Sequence, residues 1–243
     1  MKTISKLIFA FVFLASTAGA QTVDEVVAKH IQAIGGKEKL AAFKTLKMNS
    51  SIDMMGMKLP VINIIVDRKA SRSEVTFQGM TQIMVTDGET GWMISPFQGK
   101  TEPEKINEEM VKQAKEERDL SGPLYNYKEK GNKVDLLGKE EMEGTDVFKL
   151  KITRPSGDIS YQYIDAGNYL LLKETSKQKF QDKEVESEKI YSNYKMVDGL
   201  NMPHTIELRQ AGESTGQIVT IESIQVNAPV DDNIFKMPAT ASK

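Results

Sequence analysis

From Leu46 onward the hydrophobic pattern has a period of two. Leu46, Met48, Ser50, Ile52 and Met54 alternate with Lys47, Asn49, Ser51 and Asp53. A strand whose two faces differ in this way sits half-buried in a sheet. The next segment, "LPVINIIVDRK", places Leu59, Val61 and Ile65 on one side and Ile62, Ile64 and Val66 on the other. Apolar residues on both faces predict burial on both. "SRSEVTFQ", "TQIMVTD" and "TGWMISP" continue the pattern, separated by "GM" and "DGE". Short strands joined by glycine or Asp-Gly turns pair antiparallel with their neighbours in sequence.

The alternation stops once and then resumes. Thr101 and Glu104 read as a capping box with Pro103 in the first turn, and Ile106, Met110 and Ala114 recur at helical spacing. The spacing predicts a helix over 103–118 with a narrow apolar stripe, held by little area and free to act as a lid. From 133 the strand pattern returns: Phe148, Leu150 and Ile152 face one way, Val147, Lys149 and Lys151 the other. A long hairpin about Asp198-Gly199 and the strand "GQIVTIESIQVN" complete it. Ahead of all strands, Thr22 and Glu25 form another capping box. Val23, Val27, Ile31 and Ile34 then make an apolar stripe that ends at Gly35-Gly36. The count is about eleven strands, a mainly β chain with α, in one curved antiparallel sheet with helices on its concave face.

The first twenty residues stand outside that pattern. Lys2 and Lys6 precede the apolar run "LIFAFVFLASTAGA", which closes on Ala18-Gly19-Ala20. This is the layout of a cleavable secretory signal, 1–20, with the remaining 21–243 as one domain. The chain has no cysteine. That excludes disulfides, thiolate chemistry and a lipid-anchoring cysteine, so a soluble, unanchored periplasmic protein is expected. The 32 basic and 34 acidic residues leave a net charge of -2. No basic excess is available for nucleic acid, and a monomer is expected.

Catalytic groupings do not converge. His30 falls on the first helix, read as a surface position, and His204 at a strand start. Neither belongs to a metal-ligand spacing or a nucleophile elbow, so no catalytic residue, metal or cofactor is assigned. Glu184, Glu186 and Glu188 share one strand face, read as solvated. The methionines are more informative. Met48, Met54, Met55, Met57, Met80, Met84 and Met93 crowd the first β run. Flexible, polarizable side chains suit a wall that meets varied apolar shapes.

The stretch "VDRKASRSEVTFQG…TQIMVTDGETGWMISPFQGK" resembles the central part of the LolA family of periplasmic lipoprotein carriers. It carries a D-G-x-x-x-W-x-x-x-P signature, from Asp87 through Trp92 to Pro96. Phe235 and Pro238 add a terminal F-x-x-P-like piece. The resemblance implies an incomplete, half-open β-barrel with a helical lid. It implies a role as periplasmic carrier of lipoprotein acyl chains, or other lipid, toward the outer membrane. An inner-membrane release complex and an outer-membrane acceptor would be partners. The same architecture also serves lipid-sensing, envelope-stress binding modules. On this basis Met48, Ile52, Met54, Leu59, Val61, Met84, Trp92, Ile94, Ile106 and Met110 are assigned to an apolar cavity. Arg68 matches the family's functional arginine and is assigned to latch the lid by bonding helix carbonyls.

Overall fold

The computed structural model describes residues 21–239, apart from Met55, Gln181, Asp182 and Ala211. The expected signal segment 1–20 and the tail from Thr240 lie outside the described residues.

Two helices come first, α1 (Val23–Ala33) and α2 (Gly36–Ala42). The capping box at the start of α1 is formed: the Glu25 backbone N–H donates to Thr22 Oγ1 at 3.3 Å, and the Thr22 N–H donates to Glu25 Oε2 at 2.8 Å. The buried stripe is Val26, Val27, His30 and Ile31. It is rotated from the expected one, so His30 lies inside, and Val23 and Ile34 only pack at its edge. Gly35 joins the helices at a φ of +133°, which a side chain resists.

The first run of strands is β1 (Thr45–Met54), β2 (Met57–Val66), β3 (Ala70–Phe77), β4 (Met80–Asp87), β5 (Thr90–Ser95) and β6 (Lys100–Lys105). Helix α3 (Glu108–Glu117) follows. The second run is β7 (Lys133–Met142), β8 (Thr145–Thr153), β9 (Ile159–Asp165), β10 (Leu171–Phe180), β11 (Lys183–Ser192), β14 (Thr205–Gln210) and β15 (Gln217–Val226). Between β11 and β14 a small separate hairpin pairs β12 (Lys195–Val197) with β13 (Leu200–Met202). All thirteen strands of the main sheet pair antiparallel, in the order β6-β5-β4-β3-β2-β1-β15-β14-β11-β10-β9-β8-β7. The two meanders therefore join back to back through β1 and β15, and the order ends on β6 and β7. A bulge at Asn49/Ser50 helps bend the central pair. The result is the curved antiparallel sheet with helices that the pattern predicts and the half-open, barrel-like form that the resemblance implies, with more strands than expected.

The expected helix over 103–118 is corrected at its start. Thr101 to Lys105 are strand, pairing Lys105 with Trp92 and Glu104 with Met93. A 3-10 turn, Pro96–Gln98, and Gly99 at a φ of +73° reverse the chain into that strand. Pro103 fits because β6 is an edge, where an N–H is not needed. The helix is capped instead by Asn107, whose Oδ1 accepts the Met110 N–H at 2.8 Å. The long hairpin about Asp198-Gly199 is likewise divided: β11 pairs β14, and the turn belongs to β12–β13.

Register fixes two faces. Leu46, Ile65, Ser71, Thr86 and Gly91 lie in one row across β1 to β5. Lys189, Glu174, Gln162, Leu150 and Leu136 lie in a row across β11 to β7. Helices α1 and α2 pack on this inner face, giving the main core with Leu46, Val134, Phe148, Leu150, Ile152 and Ile164. The outer face has a smaller core of Ala70, Val85, Trp92 and Phe235.

Candidate functional site

The two faces divide the residues assigned from the sequence. Met48, Ile52, Leu59, Val61 and Met84 project inward by register. Ile106 is inward too, its side chain so close to Gly91 that a Cβ there would meet Cδ1 at 2.6 Å. Met110 is half-buried on α3, and Met54 is exposed at the β1–β2 tip. Trp92 and Ile94 face outward, in register with Val85 and Ile83. Trp92 is 5% exposed because the chain's last segment covers it. Its Nε1–H donates to the Phe235 carbonyl at 2.9 Å, and Arg72 donates from Nη1 to the Ile234 carbonyl at 2.9 Å. The tryptophan thus clamps the C-terminal segment to the outer face and lines no inner space. Strand alternation places it there: Trp92 is one residue from Gly91, which packs inward.

The inner face holds a cavity of about 310 Å³ between α1, α2, the loop 120–124, strands β9 to β11 and the β12–β13 hairpin. Its apolar wall includes Ile34, Leu40, Phe43, Leu124, Leu171 and Leu200. One side is polar. Gln162, 3% exposed, donates from Nε2 to Glu174 Oε2 at 2.6 Å, and Tyr194 donates its hydroxyl to the Leu171 carbonyl at 2.6 Å. Burial pushes the Tyr191 and Tyr194 hydroxyls above the usual tyrosine range. His30 Nδ1 lies 2.8 Å from the Tyr169 carbonyl, which makes Nδ1 the protonated nitrogen. An apolar pocket with a few fixed polar groups binds and orients a mainly apolar ligand.

None of the ten residues assigned from the sequence lines this pocket; it opens toward the second meander, where they do not reach. The signal that could have found it is the loop "LSGPLYNY". Leu120, Leu124, Tyr125 and Tyr127 are too many large apolar groups for a solvated turn, and all pack on the main core.

Burial holds the His30 imidazole below its ordinary value of 6.5, more strongly than the Tyr169 carbonyl raises it. The unfolded chain then binds a proton that the fold rejects. This stability is complete above about pH 6.5 and is lost as pH falls from there through the lower folded value. Thermal unfolding followed from pH 7.5 to pH 5 should show a fall in midpoint that His30→Gln largely removes. Parallel pH profiles for the two proteins would count against a neutral buried imidazole.

Helix α3 crosses the inner face. Val111 and Ala114 are its buried side chains. Ion pairs tie its other flank to the second meander: Lys112 to Asp158 at 2.7 Å, Glu116 to Arg154 at 3.5 Å and Glu117 to Lys189 at 3.3 Å. Its C-terminal end is joined to the first meander. Arg118, 1% exposed, donates from Nη1 to the Lys69 carbonyl at 2.6 Å and from Nη2 to the Gly88 carbonyl at 2.9 Å. The Arg68 backbone N–H donates to the Arg118 carbonyl at 2.9 Å, and the Asp67 carboxylate accepts the Leu120 N–H at 3.2 Å. The Arg68 side chain itself is 60% exposed and pairs with Asp67 at 3.0 Å. The guanidinium that bonds across helix and sheet is therefore Arg118, and it runs from helix to strand-turn carbonyls. Arg68 sits in the turn with a φ of +53°, and its guanidinium bonds its neighbour Asp67 instead of a helix carbonyl. Glu188, from the acidic strand, lies between Lys173 at 3.4 Å and Arg209 at 2.8 Å.

No protein-family model matches the chain, and no curated protein does. Solved structures do. A LolA superfamily protein from Nitrosomonas europaea superposes with a TM-score of 0.58 at 13% identity, over 89% of this chain and 98% of that one. A DUF1329 family protein from Desulfovibrio piger gives 0.57 at 13% identity, over 89% and 98%. An outer membrane lipoprotein-sorting protein domain from Vibrio parahaemolyticus gives 0.54 at 13% identity, over 87% and 94%. The described chain thus has the fold of the LolA superfamily and lipoprotein-sorting-domain structures.

Proposed function

We propose that the protein binds acyl chains of a lipid or lipoprotein on its inner face and carries them through the periplasm toward the outer membrane. The observation that carries this is the inner-face cavity, walled by leucines, Ile34 and Phe43 and bounded by α1, α2 and the loop 120–124. Each buried methylene of cargo contributes about 0.8 kcal/mol. The likeness in fold to a lipoprotein-sorting domain supports the same reading. Met48, Ile52, Leu59, Val61 and Met84, inward on the first meander, extend the apolar wall for a longer chain. Polar groups at Gln162, Glu174 and Tyr191 orient the ligand's head and perform no chemistry on it.

Native mass spectrometry of protein purified from its own envelope tests this. Co-purified triacylated protein is expected for the carrier. Leu124→Trp, which fills the pocket, should lower the bound fraction at least tenfold with the fold intact. Free phospholipid alone would turn the reading toward a lipid-sensing module. An empty protein that binds no added acyl chain, or a Leu124→Trp variant that loads like the parent, would refute it.

A further inference from the structure

Three methionines of the first meander stand at strand ends, exposed at the rim of the inward-facing rows. Met54 and Met57 flank the β1–β2 tip, Met80 follows the β3–β4 tip, and Phe97 lies in the 3-10 turn before β6. These turns fall at the same end of six consecutive neighbouring strands. The four side chains are 40–48% exposed. Phe77 meets Phe97 edge-on at 6.1 Å, linking two of the tips. With strands about 4.8 Å apart, the row spans about 20 Å.

The residues Met54–Met57, Phe77–Thr81 and Ser95–Gly99 are themselves uncharged, although 27% of the chain is charged; Asp53 accepts the Gly56 N–H at 3.0 Å, and Lys58 and Lys100 adjoin two of the turns. The turns at the opposite end of the same strands read Asp67-Arg68-Lys69 and Asp87-Gly88-Glu89. Gly56, Gly79 and Gly99 all have positive φ, and a Cβ on any of them would meet nothing within 4 Å. The tips are tight and stand free.

We propose that this rim docks onto the surface of a lipid bilayer, with the four apolar side chains entering the headgroup–acyl boundary. The absence of anchors for a protein partner favours that occupant. The turns carry no Trp, Tyr or Arg, the residues that dominate protein hot spots. Three of the protein's cavities, including the apolar one on the inner face, are lined by residues outside these tips. Fluid hydrocarbon needs no matching shape. It accepts separate protruding methionines and a phenylalanine while charged neighbours such as Asp53, Lys58 and Lys100 stay at the headgroup level. The docking is independent of what the inner cavity holds.

Vesicle flotation tests it, with 3:1 phosphatidylethanolamine–phosphatidylglycerol vesicles and the purified protein. The parent should float, and should still float in 0.5 M NaCl. The variant M54S/M57S/M80S/F97S should partition at least tenfold less, with an unchanged thermal midpoint. M54L/M57L/M80L/F97L should float like the parent, which separates apolar insertion from loss of fold. Met196→Ser, on the separate β12–β13 hairpin and 65% exposed, should change nothing. A parent that stays at the bottom overturns the proposal, as does a serine variant that floats equally or flotation abolished by salt. If the serine variant instead loses only a cross-link to an envelope protein, the rim is a protein-binding surface and bilayer docking is wrong.

Discussion

Arg118→Ala is expected to free α3 from the first meander and to destabilise the protein by about 3 kcal/mol. The side chain is fully buried, and the two carbonyls it serves, Lys69 and Gly88, end different strand pairs. Truncation removes the guanidinium donors from both carbonyls, leaving Lys69 only the Gly88 N–H at 3.1 Å, and opens a void where the stem packed. Urea unfolding gives the size of the loss. Hydrogen exchange gives its place: α3 amides should exchange far faster, and those of β8 and β9 should fall only with global stability. Arg118→Lys should recover part of the loss, because an ammonium cannot span two diverging carbonyls as a planar fork does. Arg68→Leu supplies the contrast. Its side chain is largely in water beside Asp67, so a change within about 0.5 kcal/mol is expected. Equal effects at 68 and 118 would show that the helix is not held in this way. The three ion pairs on the other flank of α3 are partly exposed, and raising the salt should loosen that flank alone.

Gly35→Ala is the second large effect, expected at about 2–4 kcal/mol. A methyl there would lie 2.7 Å from the Gly199 carbonyl oxygen and 2.9 Å from Leu200 Cδ2, in a backbone conformation that already disfavours it. The first contact is backbone, the second is the end of a buried leucine, and Leu200 Cα follows at 3.2 Å, so the β12–β13 hairpin has to move. That hairpin carries Leu200, Asn201 and Met202 to the cavity. Bound lipid should therefore decline together with the thermal midpoint. Gly36→Ala separates strain from collision. Its φ is +85° but the nearest atom is the Gln32 side-chain oxygen at 3.6 Å, so about 1 kcal/mol is expected. Were Gly36→Ala the more damaging, the packing of Gly35 on the hairpin would be unimportant.

The alternation in the first β run was legible because consecutive strands pair with one another, with only β1 also pairing a distant strand, β15. The same periodicity hid which face is which. Trp92 and Met93 both look like lining residues until the register sets Gly91 inward and Trp92 out. The chain's last residues decide the matter, because Ile234 and Phe235 make an outer core that strand periodicity does not reveal. Strand β6 was missed because "KTEPEK" has the composition of a helix start, and only its pairing with β5 makes it a strand. The cavity was missed because its wall comes from segments far apart, from Ile34 to Pro203. The expected bonding of helix carbonyls by Arg68 is not seen, for a local reason. Arg68 follows a strand, as the resemblance required, but its side chain is largely in water beside Asp67.

The strand order ends at β6 and β7, and that seam has a mechanical meaning. Both edge strands are rich in charge, with Lys100, Glu102, Glu104 and Lys105 on one and Lys139, Glu140 and Glu141 on the other. Pro103 removes one donor from the first. Such edges resist the addition of a further strand. In a closed barrel the circumference is fixed by strand number and stagger, so a larger guest must break ladder hydrogen bonds. A sheet with a seam can flatten or curl by small rotations shared among its strand pairs, and no ladder bond need rupture. On the proposed carrier reading, capacity would then be an elastic property, adjustable to chains of different bulk, with the open edges as the expansion joint.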